Sequence, residues 1–111
     1  MTIHLDEDLF EVVQNGTKNV EVRVNDEKRR RLKIGDKITF LRRPLEDKSM
    51  EAVVEDLVYY DNFEELVKDY TMEEIYLSGY TKEYFLNLLK RFYSDEEIKE
   101  YGVVAIRFKK I

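Results

Sequence analysis

The chain has no cysteine, one histidine, one proline and four glycines among its 111 residues. Without cysteine there are no disulfide staples, no thiolate metal sites and no cysteine nucleophile. His4 alone cannot build a histidine-rich metal site; it is expected to pack or hydrogen-bond near the rim of a sheet. Carboxylates are plentiful in "EE" pairs, but none has the spacing of metal ligands, so neither a metal nor a cofactor is expected. No apolar run approaches the roughly 20 residues of a membrane span. The opening "MTIHLDEDLF" lacks the basic start and apolar stretch of a secretory signal. A soluble, cytoplasmic protein with no membrane partner is the expectation. Internal repeats, linkers and low-complexity tracts are also missing, which points to one domain over residues 1–111.

What is present suits a globular core. Hydrophobic residues make up 43% of the chain, with fourteen Tyr and Phe, enough to offset a charged fraction of 39%. The net charge of −5 conceals an asymmetry. Between Gly16 and Arg43 ten basic residues face four acidic ones, a local +6, which leaves −11 on the remainder. An acidic protein repels a long duplex, but a basic face of this size can hold a few phosphates. The expected ligand is short or local.

Periodicity supplies the elements. "IHL" is extended, and Asp6 stands at the N-cap of a helix through "EDLFEVVQN" that Gly16 stops. In "KNVEVRV" the side chains of Val20, Val22 and Val24 face one way and those of Glu21 and Arg23 the other. "NDEKRRRLKIGD" is a turn or short helix, and "KITFLRR" and "MEAVVEDLVYY" are strands separated by a turn at Pro44. Helices follow at "NFEELVKDY", "TMEEIYL" and "TKEYFLNLLKRFY", opened by Asn62, Thr71 and Thr81. Phe85, Leu88, Leu89 and Phe92 form the apolar face of the last. Ser94 starts a further helical turn, Gly102 breaks it, and "VVAIRFKK" is a largely buried strand. The order reads β-α-β-β-β-α-α-α-β, an antiparallel sheet or small barrel whose last strand returns beside early ones.

Residues Gly16 to Arg23, "GTKNVEVR", fit G-x-K-x-x-E-x-R. They follow a short helix and precede Gly35-Asp36-x-Ile38-x-Phe40, and the chain closes with "YGVVAIRF". From about Ile3 to Lys110 this arrangement resembles the small stand-alone microbial members of the ASCH domain family, in the PUA-like superfamily. The resemblance implies an α+β fold, a small mixed or antiparallel β-barrel of the PUA-like kind flanked by short helices. It also implies a cleft beside the motif and a link to RNA or modified nucleosides. One branch of the family cleaves the acyl group from N4-acetylcytidine, and another member is a ribonuclease.

The motif residues have a chemistry of their own. Glu21 and Arg23 share a strand face about 7 Å apart at the backbone. Arg23 offers a planar fork for a phosphate or a base edge. Lys18 offers a point charge or, once desolvated, a base. Glu21 can orient Lys18, accept from an exocyclic amine or activate water. The competing reading is a surface ion-pair ladder of little energetic value. In the amidohydrolase branch a lysine works with a threonine three residues later and a downstream glutamate. Lys18 holds the lysine place, but Glu21 stands at the threonine. Ser78 falls near the glutamate place, with Glu73 and Glu74 only as neighbours.

The ligand-binding set is therefore Lys18, Glu21 and Arg23. The run Lys28, Arg29, Arg30 and Arg31, with Lys33, forms a candidate nucleic-acid rim that Arg42 and Arg43 could extend; otherwise it is solvated. Tyr59, Tyr60, Tyr76 and Tyr80 are candidates to stack a base, or else core residues. The expected function is binding of RNA or a modified nucleotide. One alternative is a small hydrolase acting on N4-acylated cytidine or RNA, with Lys18 as general base and Glu21 beside it. Another is a protein-interaction domain using the acidic helical half.

Overall fold

The computed structural model describes residues 1–111. Five strands, β1 (Thr2–Leu5), β2 (Val20–Val24), β3 (Lys37–Arg42), β4 (Ser49–Tyr60) and β5 (Val103–Lys110), form one curled sheet in the order β1-β3-β4-β5-β2. Helix α1 (Glu7–Gln14) follows β1, and the one-turn α2 (Glu27–Arg30) follows β2. Helices α3 (Phe63–Val67), α4 (Met72–Ile75), α5 (Lys82–Phe92) and α6 (Asp95–Tyr101) fill the connection from β4 to β5. The α+β class and the barrel-like sheet with flanking helices are as expected. One detail differs from the sequence reading. The turn at Ser94 is a full helix, α6, because a capping box closes its first turn: Glu97 N donates to Ser94 Oγ at 3.1 Å and Ser94 N to Glu97 Oε1 at 3.1 Å. Of the two expected forms of sheet, this is the mixed one, since β1 pairs with β3 in parallel, Thr2 opposite Thr39 and Leu5 opposite Arg42. Helix α1 and β2 together supply the long crossover that a parallel pair requires.

The last strand does insert among the early ones. β5 pairs antiparallel with β4 and, on its other side, with β2, where Val20 faces Arg107 and Val24 faces Val103. This central position explains its unbroken apolar run, because both faces are covered. Val104, Ile106 and Phe108 enter the core inside the curl with Ile3, Phe40 and α1. Val103 and Ala105 enter a second core with Val20, Val22, Val24 and helices α3 to α5. Residues opposite each other in an antiparallel pair share a face. Glu21, opposite Ile106, and Arg23, opposite Val104, therefore project from β2 on the inner side of the curl.

Gly102 sets the start of β5. Its φ of 69° and ψ of −169° lie in a region only glycine occupies readily, and an added Cβ would meet the Tyr60 carbonyl oxygen at 3.0 Å. Its own carbonyl accepts from Asn25 N at 2.9 Å, so this residue also ties down the end of β2. Gly102→Ala is expected to lower stability by about 1–3 kcal/mol, read as a reduced urea midpoint with an unchanged slope.

Candidate functional site

The motif begins where α1 ends. Gly16 takes a φ of 86°, the left-handed conformation that closes a helix. The turn that follows is held from three sides. Lys18 N donates to Val12 O at 3.0 Å, Asn19 N to Glu74 O at 3.1 Å, and Phe108 N to Asn19 O at 3.0 Å. This anchoring carries the Lys18 side chain back over the start of β2. Its Nζ lies 3.0 Å from Glu21 Oε1 and also donates to the Val20 carbonyl. Arg23 Nε and Nη2 both donate to Glu21 Oε2, at 3.0 and 2.6 Å.

Lys18 and Glu21 are buried, exposed by 2% and 6%, which rules out a surface ion-pair ladder. Removing an ammonium from water favours its neutral form, and burial lowers the Lys18 pKa against the opposing pull of Glu21. Burial alone would raise the Glu21 carboxyl, but the charges and hydrogen bonds of Lys18 and Arg23 overcome it and hold it at about 2. Glu21 raises the Arg23 pKa above its ordinary value, and Tyr93 adds to that. Glu21 is thus a fixed anion and a poor base. Arg23 has two N–H groups engaged with Glu21, and its remaining donors lie between Tyr93 and the cavity.

Beside the triad lies a cavity of about 440 Å³. The edge strands do not pair with each other, and this cavity fills part of the seam between them. His4, Leu5 and Asp6 line it from the end of β1, and Glu21, Val22 and Arg23 from β2. Helix α5 forms a third wall through Phe85, Leu88, Leu89, Phe92 and Tyr93 just beyond its end. The volume lies within the roughly 300–1,000 Å³ of small-molecule sites.

The structure sorts the remaining sequence candidates. A single helical turn fans consecutive residues by about 100°, so the basic run does not line the cavity as one patch. Asp26 caps α2 by accepting from Arg29 N at 3.1 Å, and Arg29 lines the cavity. Arg30 turns away and stacks over Tyr101, 5.3 Å from its ring centroid. Lys28, Arg31 and Lys33 are exposed and outside the cavity lining. Arg42 is engaged by Asp47 at 2.7 Å, whereas Arg43 lines the cavity. Of the four tyrosines singled out, Tyr76 lines the cavity. Tyr80 packs against Tyr76 with centroids 5.2 Å apart, and Tyr59 and Tyr60 line a separate groove beside α3 and α6. His4 bonds Glu46 Oε1 at 2.7 Å at the cavity edge.

Three lining residues escaped the sequence reading. Asp6 occupies the N-cap of α1, yet its side chain makes no capping bond, and its carboxylate lines the cavity instead. Leu88 and Phe92 were expected on one apolar face with Phe85 and Leu89. Helix α5 in fact carries two adjacent i,i+4 rows. All four line the cavity, but Phe85 and Leu89 are buried there, while Leu88 is half-buried and Phe92 is 69% exposed. The available signal was an apolar stripe wider than one buried row requires. No group of three His, Asp or Glu side chains is arranged to hold a metal, and no helix is long and apolar enough to cross a membrane.

Comparison with known proteins places this geometry. Hypothetical protein PH0355 superposes with a TM-score of 0.82 at 28% identity, over 99% of this chain and 97% of that one. Protein PF0455 from Pyrococcus furiosus, solved in solution, gives 0.77 at 30% identity, over 100% of this chain and 98% of its own. The S128A mutant of ZmASCH from Zymomonas mobilis shares the fold, with a TM-score of 0.61 at 19% identity, over 97% of this chain and 66% of that protein. No curated protein matches the sequence. The family model for the ASCH domain matches residues 3–111, almost the whole chain, and the protein belongs to the ASCH domain family.

Proposed function

We propose that the protein binds RNA or a modified nucleotide in the cavity at the sheet seam, with Lys18, Glu21 and Arg23 as the core of the site. The observation that carries this reading is the state of Arg23. Its guanidinium is fixed by two bonds to a buried carboxylate and still directs free donors at a cavity of nucleotide size. Lys18 and Glu21 act as positioning residues: Lys18 anchors Glu21, and Glu21 orients Arg23. A rigid planar fork of this kind suits a phosphate or a base edge better than a mobile lysine does. Binding to short single-stranded RNA is expected to weaken with salt and to fall at least tenfold in Arg23→Gln, whose amide keeps one contact to Glu21. Equal binding of an RNA panel by parent and Arg23→Gln would remove the assignment.

A second reading, hydrolysis of an N4-acylated cytidine or of RNA, is favoured by one observation, the buried and pKa-lowered Lys18. A neutral amine keeps two hydrogens for Val20 O and Glu21 and leaves its lone pair free to take a proton. Glu21, held at about 2, would then serve only as electrostatic support. Incubation with N4-acylcytidines and short RNAs decides it, and turnover that persists in Lys18→Met would exclude Lys18 as the base.

A further inference from the structure

We propose that the cavity selects a phosphorylated, unpaired nucleotide, with the Arg29 and Arg43 guanidiniums holding its phosphate and the Leu88–Phe92 flank of α5 carrying its base. This rests on the nucleotide-binding reading and adds the class of ligand and the residues that choose it.

Charge comes first. Four cationic side chains line the cavity, Lys18, Arg23, Arg29 and Arg43, against two carboxylates, Asp6 and Glu21. Lys18 and Arg23 share Glu21. Arg29 and Arg43 are left with Asp6 as the one remaining carboxylate of the lining, so positive charge stays in excess. Arg43 makes no side-chain hydrogen bond or ion pair, while its backbone N–H donates to Leu5 O at 2.8 Å and fixes the residue beside β1. Arg29 reaches Asp26 through a single long contact of 3.5 Å. Its Nε is buried and has no partner. A buried guanidinium N–H without an acceptor is costly to keep, and a phosphate oxygen is the acceptor that guanidinium geometry suits best.

Shape and surface narrow the ligand further. About 440 Å³ accommodates one nucleotide and excludes a duplex. Phe92, 69% exposed at the cavity wall with Leu88 one turn before it, presents an apolar face to a base. Stacking on such a ring requires a base free of its own helix. The shared chemistry is a phosphate on an unpaired nucleoside, whether free or at the end of a single strand.

The test is an NMR titration of the full chain with cytidine, its 5′- and 3′-monophosphates, and tetracytidylate with and without a 5′-phosphate. The parent is expected to bind at least one monophosphate ten or more times more tightly than cytidine. Arg43→Ala, an exposed site whose loss leaves folding intact, is expected to abolish most of that preference and leave cytidine binding unchanged. Lys82→Ala controls for net charge and is expected to change nothing. Phe92→Ala is expected to weaken cytidine and its monophosphates by the same factor, about tenfold. A phosphate preference confined to the mononucleotides identifies a free nucleotide, and one repeated by the tetranucleotide identifies a strand end; both support the clasp. Arg23-dependent RNA binding with no gain from phosphate, or a preference that survives Arg43→Ala, overturns the clasp alone. No binding of any nucleoside, nucleotide or RNA overturns the clasp and the underlying function together.

Discussion

Replacing Glu21 by alanine is expected to destabilise the protein by about 3–5 kcal/mol, the cost of leaving a buried ion network without its counter-charge. Two cations would remain, Lys18 at 2% exposure and Arg23 beside it, with no carboxylate between them. Near 100 residues, each kcal/mol moves the melting temperature by roughly 4–8 °C, so a drop of about 12–40 °C is anticipated. Lys18→Met provides the contrast. It removes a buried charge, keeps an apolar stem of similar length and leaves the Glu21–Arg23 pair at 2.6 Å intact. Its cost is expected to stay below that of Glu21→Ala, because the Val20 carbonyl and Glu21 Oε1 lose a donor while Arg23 still pairs the carboxylate. Thermal melts of both variants check the order, and a Lys18→Met loss equal to that of Glu21→Ala would contradict the account of the triad.

Acid is expected to undo the same network. The Glu21 carboxyl titrates at about 2 in the folded chain against an ordinary value of 4.5. Its contribution is therefore fully present above pH 4.5 and is lost as the pH falls toward 2, because the unfolded chain takes up the proton first. That depression corresponds to on the order of 3 kcal/mol. Lys18 acts with the opposite prospect at high pH. Its folded value lies below 10.5, so the unfolded chain holds the proton longer and stability rises with pH across that interval. Urea unfolding across the pH range, parent against Lys18→Met, should show the alkaline gain in the parent only. Against Glu21→Gln, the parent should show the steeper acid loss, and parallel acid limbs would refute it.

Much of this was legible in the sequence because local rules agreed with the fold. The alternation of Val20, Val22 and Val24 with Glu21 and Arg23 fixed the two faces of β2, and Asn62, Thr71, Thr81 and Ser94 cap the helices they were read to open. The basic run spreads around α2, with Lys28, Arg29 and Arg30 on its single turn and Arg31 at its C-cap, and of these four only Arg29 lines the cavity. Asp6 looked like a cap because its position is one; whether its carboxylate bonds the helix depends on χ angles that no pattern encodes. Phe92 obeyed the apolar spacing of α5, and only the packing of that helix across the seam separates its buried row from its exposed one. The parallel pairing of β1 was equally hidden, since it uses the edge of β3 that its pairing with β4 leaves free.

The pairing of β2 with β5 has a consequence in time. Val20 meets Arg107, and Val24 meets Val103, across nearly the whole chain, and β2 has no other neighbour in the sheet. During synthesis the lysine, glutamate and arginine of the motif emerge early and wait, solvated, until β5 has left the ribosome. Long-range strand pairing of this kind is slow, since loop closure precedes any reward. The site is thus among the last features to form. A nascent chain holding every motif residue but lacking β5 would leave β2 with no strand to pair with.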